Sequence, residues 1–150
     1  MKVNINILSS LLGCKDNLQN FNKLWSCLTI YERASLAKNT NTPDNILLFL
    51  ATDNDSFVRE YVAENNAINA DIINILAKDS SYSIRCIIAS RTTSLSVIEI
   101  LANDHVSQVR ECIAANHKTT PEILKKLSAE RSRYVREAAL NNPYRIKYEY

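Results

Sequence analysis

Five arginines, Arg33, Arg59, Arg85, Arg110 and Arg136, stand 26, 26, 25 and 26 residues apart, and each sits in the same local phrase. An acid lies six residues before four of them (Asp53, Asp79, Asp104, Glu130), and an aliphatic residue immediately before (Val58, Ile84, Val109, Val135). Alanine stands four residues after (Ala37, Ala63, Ala89, Ala114) and asparagine six after (Asn39, Asn65, Asn116, Asn142). A Leu-Ala pair closes the units at 50/51, 76/77 and 101/102, with Leu127-Ser128 in its place in the last. Self-similarity at this period marks a repeat array, whose units are too small to bury a core alone and must stack on one another.

Each unit reads as two short helices. Thr29, Asp55, Ser81 and Ser132 stand four residues before their arginines, as N-caps do, and Thr29 with Glu32 makes a capping box. Apolar residues one before and two, three and four after the arginine (Val58, Tyr61, Val62, Ala63; Ile84, Ile87, Ile88, Ala89; Val109, Cys112, Ile113, Ala114) predict one buried stripe at helical spacing. The second helix is predicted to begin at Thr42-Pro43 and Thr120-Pro121, a capping threonine before a proline in the first turn. It carries Ile46, Leu47, Leu50 and Ala51, then Ile72, Ile73, Leu76 and Ala77, then Ile98, Leu101 and Ala102, then Ile123, Leu124 and Leu127. Helices this short are marginal alone, so their order must come from stacking. The 25-residue third repeat lacks one residue between Arg91 and Leu101 and has Arg91 where asparagine is usual, so it is predicted to be irregular.

The phrase Ala-x-Asn-x-x-Thr-Pro, followed by Leu-Ala-x-Asp and then Val-Arg, resembles the leucine-rich repeat variant family, HEAT-like in style, over roughly residues 29–143. The resemblance implies an all-α, right-handed α-solenoid (an α/α superhelix) of about 25–26-residue two-helix repeats, with no sheet. The corresponding boundaries are an N-terminal helical cap over 1–28, a solenoid of four full repeats with degenerate ends over 29–143, and a tail over 144–150. A family member also carries a cysteine-clustered iron–sulfur module, but Cys14 and Cys27 do not reproduce that cluster, so no cofactor is carried over.

The arginines and acids form a ladder with two readings. Across an interhelical turn each carboxylate can cap the following helix and accept a forked guanidinium from its own or the next repeat. On that structural reading Glu130 occupies Arg136, and Arg85 pairs with Asp79 or a neighbouring acid. The functional reading would set the five arginines along the surface as a phosphate-reading rail, ~9–10 Å per layer. The acid at a fixed offset favours the structural reading, because a neutralised arginine is a poor lure for anions.

Composition narrows the chemistry further. A single glycine, Gly13, excludes the Gly-rich phosphate loops and dinucleotide fingerprints. Cysteines at 14, 27, 86 and 112 show no CxxC, and His105 and His117 follow no metal motif, so neither a metal nor a cofactor is expected. Such scattered thiols suit a reducing cytoplasm, with Cys86 and Cys112 read as small core residues beside the buried face. Leu11-Leu12-Gly13-Cys14 resembles a lipoprotein box that would acylate Cys14, but Asn4 and Asn6 interrupt its short apolar run. A capping helix from Ile5 to Leu12, followed by one from Leu18 to Leu28, is the preferred reading. No membrane association is expected.

No nucleophile with a neighbouring base is assignable by spacing, so the chain reads as non-enzymatic and no catalytic residue is named. The expected role is a protein-binding scaffold or adaptor. Its contact positions are sought where exposed offsets break the consensus, at Arg91, Lys125, Arg131, Arg133 and Tyr134. The alternative is a nucleic-acid binder. Residues 1–109 hold 9 basic and 11 acidic side chains, whereas 110–150 hold 9 and 5, with Tyr144, Tyr148 and Tyr150 interleaved. A polar terminal cap, which a solenoid needs for solubility, accounts for the same residues.

Overall fold

A computed structural model describes residues 23–145, and these are all-helical, with no strand among them. Nine- or ten-residue helices alternate with seven-residue ones: α1 (Ile30–Lys38), α2 (Asp44–Leu50), α3 (Ser56–Glu64), α4 (Ala70–Leu76), α5 (Tyr82–Arg91), α6 (Leu95–Leu101), α7 (Ser107–Ala115), α8 (Pro121–Leu127) and α9 (Arg133–Asn141). Residues 23–26 are helical ahead of α1. The helix expected from Ile5 to Leu12, the box at Leu11–Cys14 and the tail tyrosines Tyr148 and Tyr150 lie outside the described residues. Among the described residues no helix is long and apolar enough to cross a membrane. The chain forms two compact units, residues 1–72 and 73–150, the division falling within α4.

In the first unit α1 packs on α3, and α2 touches both. In the second, α5 packs on α7 and α7 on α9, while α6 lies against α5 and α7, and α8 against α7 and α9. The buried stripe of the long helices is the residue before the arginine with those three and four after it: Val58, Val62 and Ala63; Ile84, Ile88 and Ala89; Val109, Ile113 and Ala114. Tyr61, Ile87 and Cys112, expected inside, are only half-buried, as is Cys86. At 3.6 residues per turn, the position two after the arginine sits on the shoulder of the stripe, where a neighbouring helix covers only part of it. Leu50, Leu76, Leu101 and Leu127 close the short helices and are fully buried, each contributing about 1.5–3 kcal/mol of apolar burial.

Thr29 caps α1 with the capping box complete, and Asp55 accepts from the Phe57 N–H. Ser81 and Ser132 hold the N-cap positions of α5 and α9 without a side-chain capping bond. Thr120 caps α8 with Pro121 in its first turn, as predicted. Thr42-Pro43 is shifted by one: Pro43 is the N-cap of α2, and the buried Thr42 hydroxyl donates to Leu36 O at 2.7 Å. The equivalent of Thr42 is Thr119, which donates to Ile113 O at 2.6 Å; both lie nine residues after their arginines.

The third repeat is irregular for a definable reason. Helix α5 has ten residues where the other long helices have nine, and its C-cap is Thr92 rather than residue 91. The next helix starts three residues after this cap, against five after Asn39, Asn65 and Asn116. One residue gained in the helix and two lost from the loop account for the 25-residue spacing. Arg91 thus ends a helix, half-buried, and Thr92 occupies the asparagine position.

Candidate functional site

The ladder is built into the packing. Arg33 reaches Asp53 through Nε at 2.7 Å and Nη2 at 3.3 Å, and Arg85 reaches Asp104 at 2.7 and 3.0 Å in the same two-point manner. Arg110 approaches Glu130, with Nε 2.9 Å from Oε1 and Nη2 donating to Oε2 at 3.1 Å. In each case the acid belongs to the next repeat. The remaining arm of the fork, Nη1, turns back to the carbonyl six residues before its own arginine: Arg59 to Asp53 O, Arg85 to Asp79 O, Arg110 to Asp104 O and Arg136 to Glu130 O. One guanidinium therefore ties the interhelical turns of two layers together. The acids do not cap the helices directly. Asp53, Asp79 and Asp104 accept the N–H two residues on, shaping the turn that leads into the helix.

Arg85 is only 5% exposed, and the Asp104 side chain is as deeply placed. Hydrogen bonding to Asp104 drives the Arg85 guanidinium further above its ordinary range, against the opposing effect of burial. Burial pushes the Asp104 carboxyl up, but hydrogen bonds from Arg85 and the Val106 N–H, with the Arg85 charge, outweigh it and hold the carboxyl below its usual range. The expected Arg136–Glu130 carboxylate pair is not formed. That carboxylate serves Arg110, and among the described residues Arg136 meets only the carbonyls of Glu130 and Arg131.

A second ladder runs beside the first. Asn65 Nδ2 donates to Ala37 O and Asn39 O; Asn116 Nδ2 to Ala89 O and Thr92 O; Asn142 Nδ2 to Ala114 O and Asn116 O. Each Oδ1 accepts the N–H two residues on, as does the Thr92 hydroxyl from Ser94. Helices commonly satisfy their last carbonyls by turning through a left-handed glycine. No described residue has positive φ; these helices leave through extended asparagines, and the next layer's amide collects the carbonyls. Asn65, Asn116 and Asn142 are thus buried structural groups, whereas Asn39 is half-buried.

The five positions singled out for partner contact are dispersed. Arg91 ends α5, Lys125 is exposed on α8, and Arg131, Arg133 and Tyr134 are exposed at the start of α9. Arg133 is engaged with Glu137 one turn on at 2.7 Å, which raises its guanidinium further and partly neutralises it. Neither the cleft lined by Tyr31, Phe57 and Tyr61 nor the one lined by Trp25, Arg33 and Asp53 includes any of the five, and among the described residues no three of His, Cys, Asp and Glu group as metal ligands would.

What the sequence did not single out is an aromatic groove in the first unit. Tyr31 of α1, 74% exposed, faces Phe57 and Tyr61 of α3 across an open cleft of about 470 Å³ floored by Ala34 and Ser35. Phe57 and Tyr61 meet edge to face at 4.8 Å, and Lys38 Nζ lies 5.5 Å from the Tyr61 ring centre. The cleft forms because Ala34 is small where the facing helix presents Tyr61, and Tyr31 and Phe57 occupy the same position two residues before their arginines. That recurrence, shared by Tyr134, was readable, but Ser83 and Gln108 at the same offset interrupt it. With this geometry in hand, no family model, curated protein or solved structure was found to match the chain.

Proposed function

We propose that the chain is a non-enzymatic protein-binding scaffold, an α-solenoid of the leucine-rich-repeat-variant kind, which engages its partner through the groove between α1 and α3. The observation that carries this reading is the exposure of Tyr31 and Phe57 in one cleft with Tyr61. Rigid aromatic rings left in water at little conformational cost are the usual anchors of protein interfaces. The solenoid arrangement is supported by the two ladders, which repeat the same layer-to-layer bonds within each unit. The fitting partner is a peptide segment that lays an apolar or proline side chain between the rings and brings a carboxylate to Lys38.

A photo-cross-linking amino acid in place of Tyr31 tests this in native extract. Adducts to one polypeptide, suppressed by Phe57→Ser and absent when the cross-linker replaces the exposed Tyr82 of α5, are expected. No polypeptide adduct at position 31, with adducts to nucleic acid from a cross-linker at Tyr134, would replace this reading by the nucleic-acid one. Arg136 keeps that second reading open, because no carboxylate neutralises it among the described residues.

A further inference from the structure

We infer that Cys86 and Cys112 form an oxidative cross-link site that joins two consecutive layers of the second unit. Helices α5 and α7 pack against each other, and the two thiols lie close enough across that contact for each to perturb the other's proton affinity. The register is general: Cys86 follows its arginine by one residue and Cys112 follows its own by two, the offsets at which Ala34 and Tyr61 line one groove in the first unit. Both cysteines are half-buried and unbridged, so a small oxidant has access. The pair uses no residue of the aromatic groove.

The thiols are quiet in the reduced protein. Burial, with the neighbouring Cys112 thiol, pushes the Cys86 thiol up to about 12; burial also raises Cys112, whereas its neighbour Cys86 works the other way. Cys112 therefore becomes the thiolate more readily. With a hydroperoxide as oxidant, the Cys112 thiolate attacks the O–O bond, takes the terminal hydroxyl as a sulfenic acid and releases the other oxygen as water or alcohol. Cys86 sulfur then attacks that sulfenic sulfur, the S–S bond forms, and the sulfenic hydroxyl leaves with the Cys86 proton as a second water. Two thiols are oxidised for one peroxide reduced. The bond closes the chain between positions 86 and 112 and ties α5 to α7 covalently.

The test uses the full chain carrying Cys14→Ser and Cys27→Ser, which leaves only these two thiols, treated with hydrogen peroxide and digested with trypsin. A disulfide joining the peptides 86–91 and 111–118, with the loss of two hydrogens and reversal by dithiothreitol, is expected, together with a raised unfolding midpoint. Adding Cys86→Ser should divert Cys112 to sulfenic and sulfinic acid, whereas Cys112→Ser should leave Cys86 largely unoxidised. Melts of the reduced variants check that each is folded. Sulfinic acid at Cys112 with both cysteines present and no linked peptide would overturn the inference. So would hybrid-mass linked peptides from a mixture of isotope-labelled and unlabelled chains, which mark bonds between molecules.

Discussion

Arg85 donates to both carboxylate oxygens of Asp104, nineteen residues on, and with its remaining arm to the carbonyl of Asp79, six residues back. Its obvious partner by sequence, the Asp79 carboxylate of the same phrase, is passed over for that of the following layer. Spacing alone does not distinguish the two, because both acids are reached only after the turns are folded.

This fixes what removing the arginine would do. Arg85→Ala leaves Asp104 buried without its cation, and destabilisation of about 3–5 kcal/mol is expected in urea titrations. The double variant Arg85→Ala, Asp104→Asn should lose less than the sum of the single losses, because the stranded charge goes with its partner. Lys125→Ala, on an exposed face, should change stability by less than about 0.5 kcal/mol. A neutral Arg85→Ala would show that the pair is not what holds these layers.

The same pair sets a pH dependence. The Asp104 carboxyl titrates lower in the folded chain than when unfolded, where it has a pKa of about 3.9. A depressed carboxylate contributes stability above its unfolded pKa and loses that contribution as pH falls through the folded value. Arg85, raised, stays protonated throughout. The stability gap between the parent chain and Asp104→Asn should hold steady above about pH 5 and narrow towards about pH 2. A gap that is flat across that window would mean the charge on Asp104 contributes nothing.

Asn116 makes a separate prediction. Its amide is buried, donates to two carbonyls of the preceding layer and accepts the Lys118 N–H. Asn116→Ala leaves those groups without water or partner and should cost about 2–3 kcal/mol. Asn103→Ala, removing an exposed bond to Glu99 O and another from Lys126 Nζ, should cost under about 1 kcal/mol. Equal losses at the two positions would put the asparagine ladder among the ornaments of composition.

The legible and illegible parts of this chain divide along chain separation. The period, the short helix pairs and most of the buried stripe follow from apolar spacing and capping residues, which act within a turn or two. The recurrence of asparagine at +6 was equally visible, but its purpose was not, because Asn116 bonds to Ala89 and Thr92, 27 and 24 residues back. Aligning the third repeat on Arg85 put Arg91 in the asparagine slot, whereas the longer α5 moves Thr92 there. The groove was hidden for another reason. Tyr61 shares its offset with Ile87 and Cys112, which read as core, and only the smallness of Ala34 opposite leaves its ring lining a cleft.

The last prediction separates the scaffold from a nucleic-acid binder. The C-terminal region carries an excess of basic residues, 9 against 5 acidic over 110–150, yet Arg110 is paired with Glu130 and Arg133 with Glu137. Among the arginines around the start of α9, Arg131 and Arg136 remain without a carboxylate among the described residues, and those two make too few phosphate contacts for tight binding at that surface. Each contact lowers the log–log salt slope by about 0.9 on duplex DNA. Fluorescence anisotropy at about 50 and 200 mM salt should thus give weak binding with a slope of about −2. Sub-micromolar binding at the higher salt, abolished by Arg131→Glu with Arg133→Glu at unchanged stability, would instead make the start of α9 the functional surface. The cleft at Tyr31 would then be incidental.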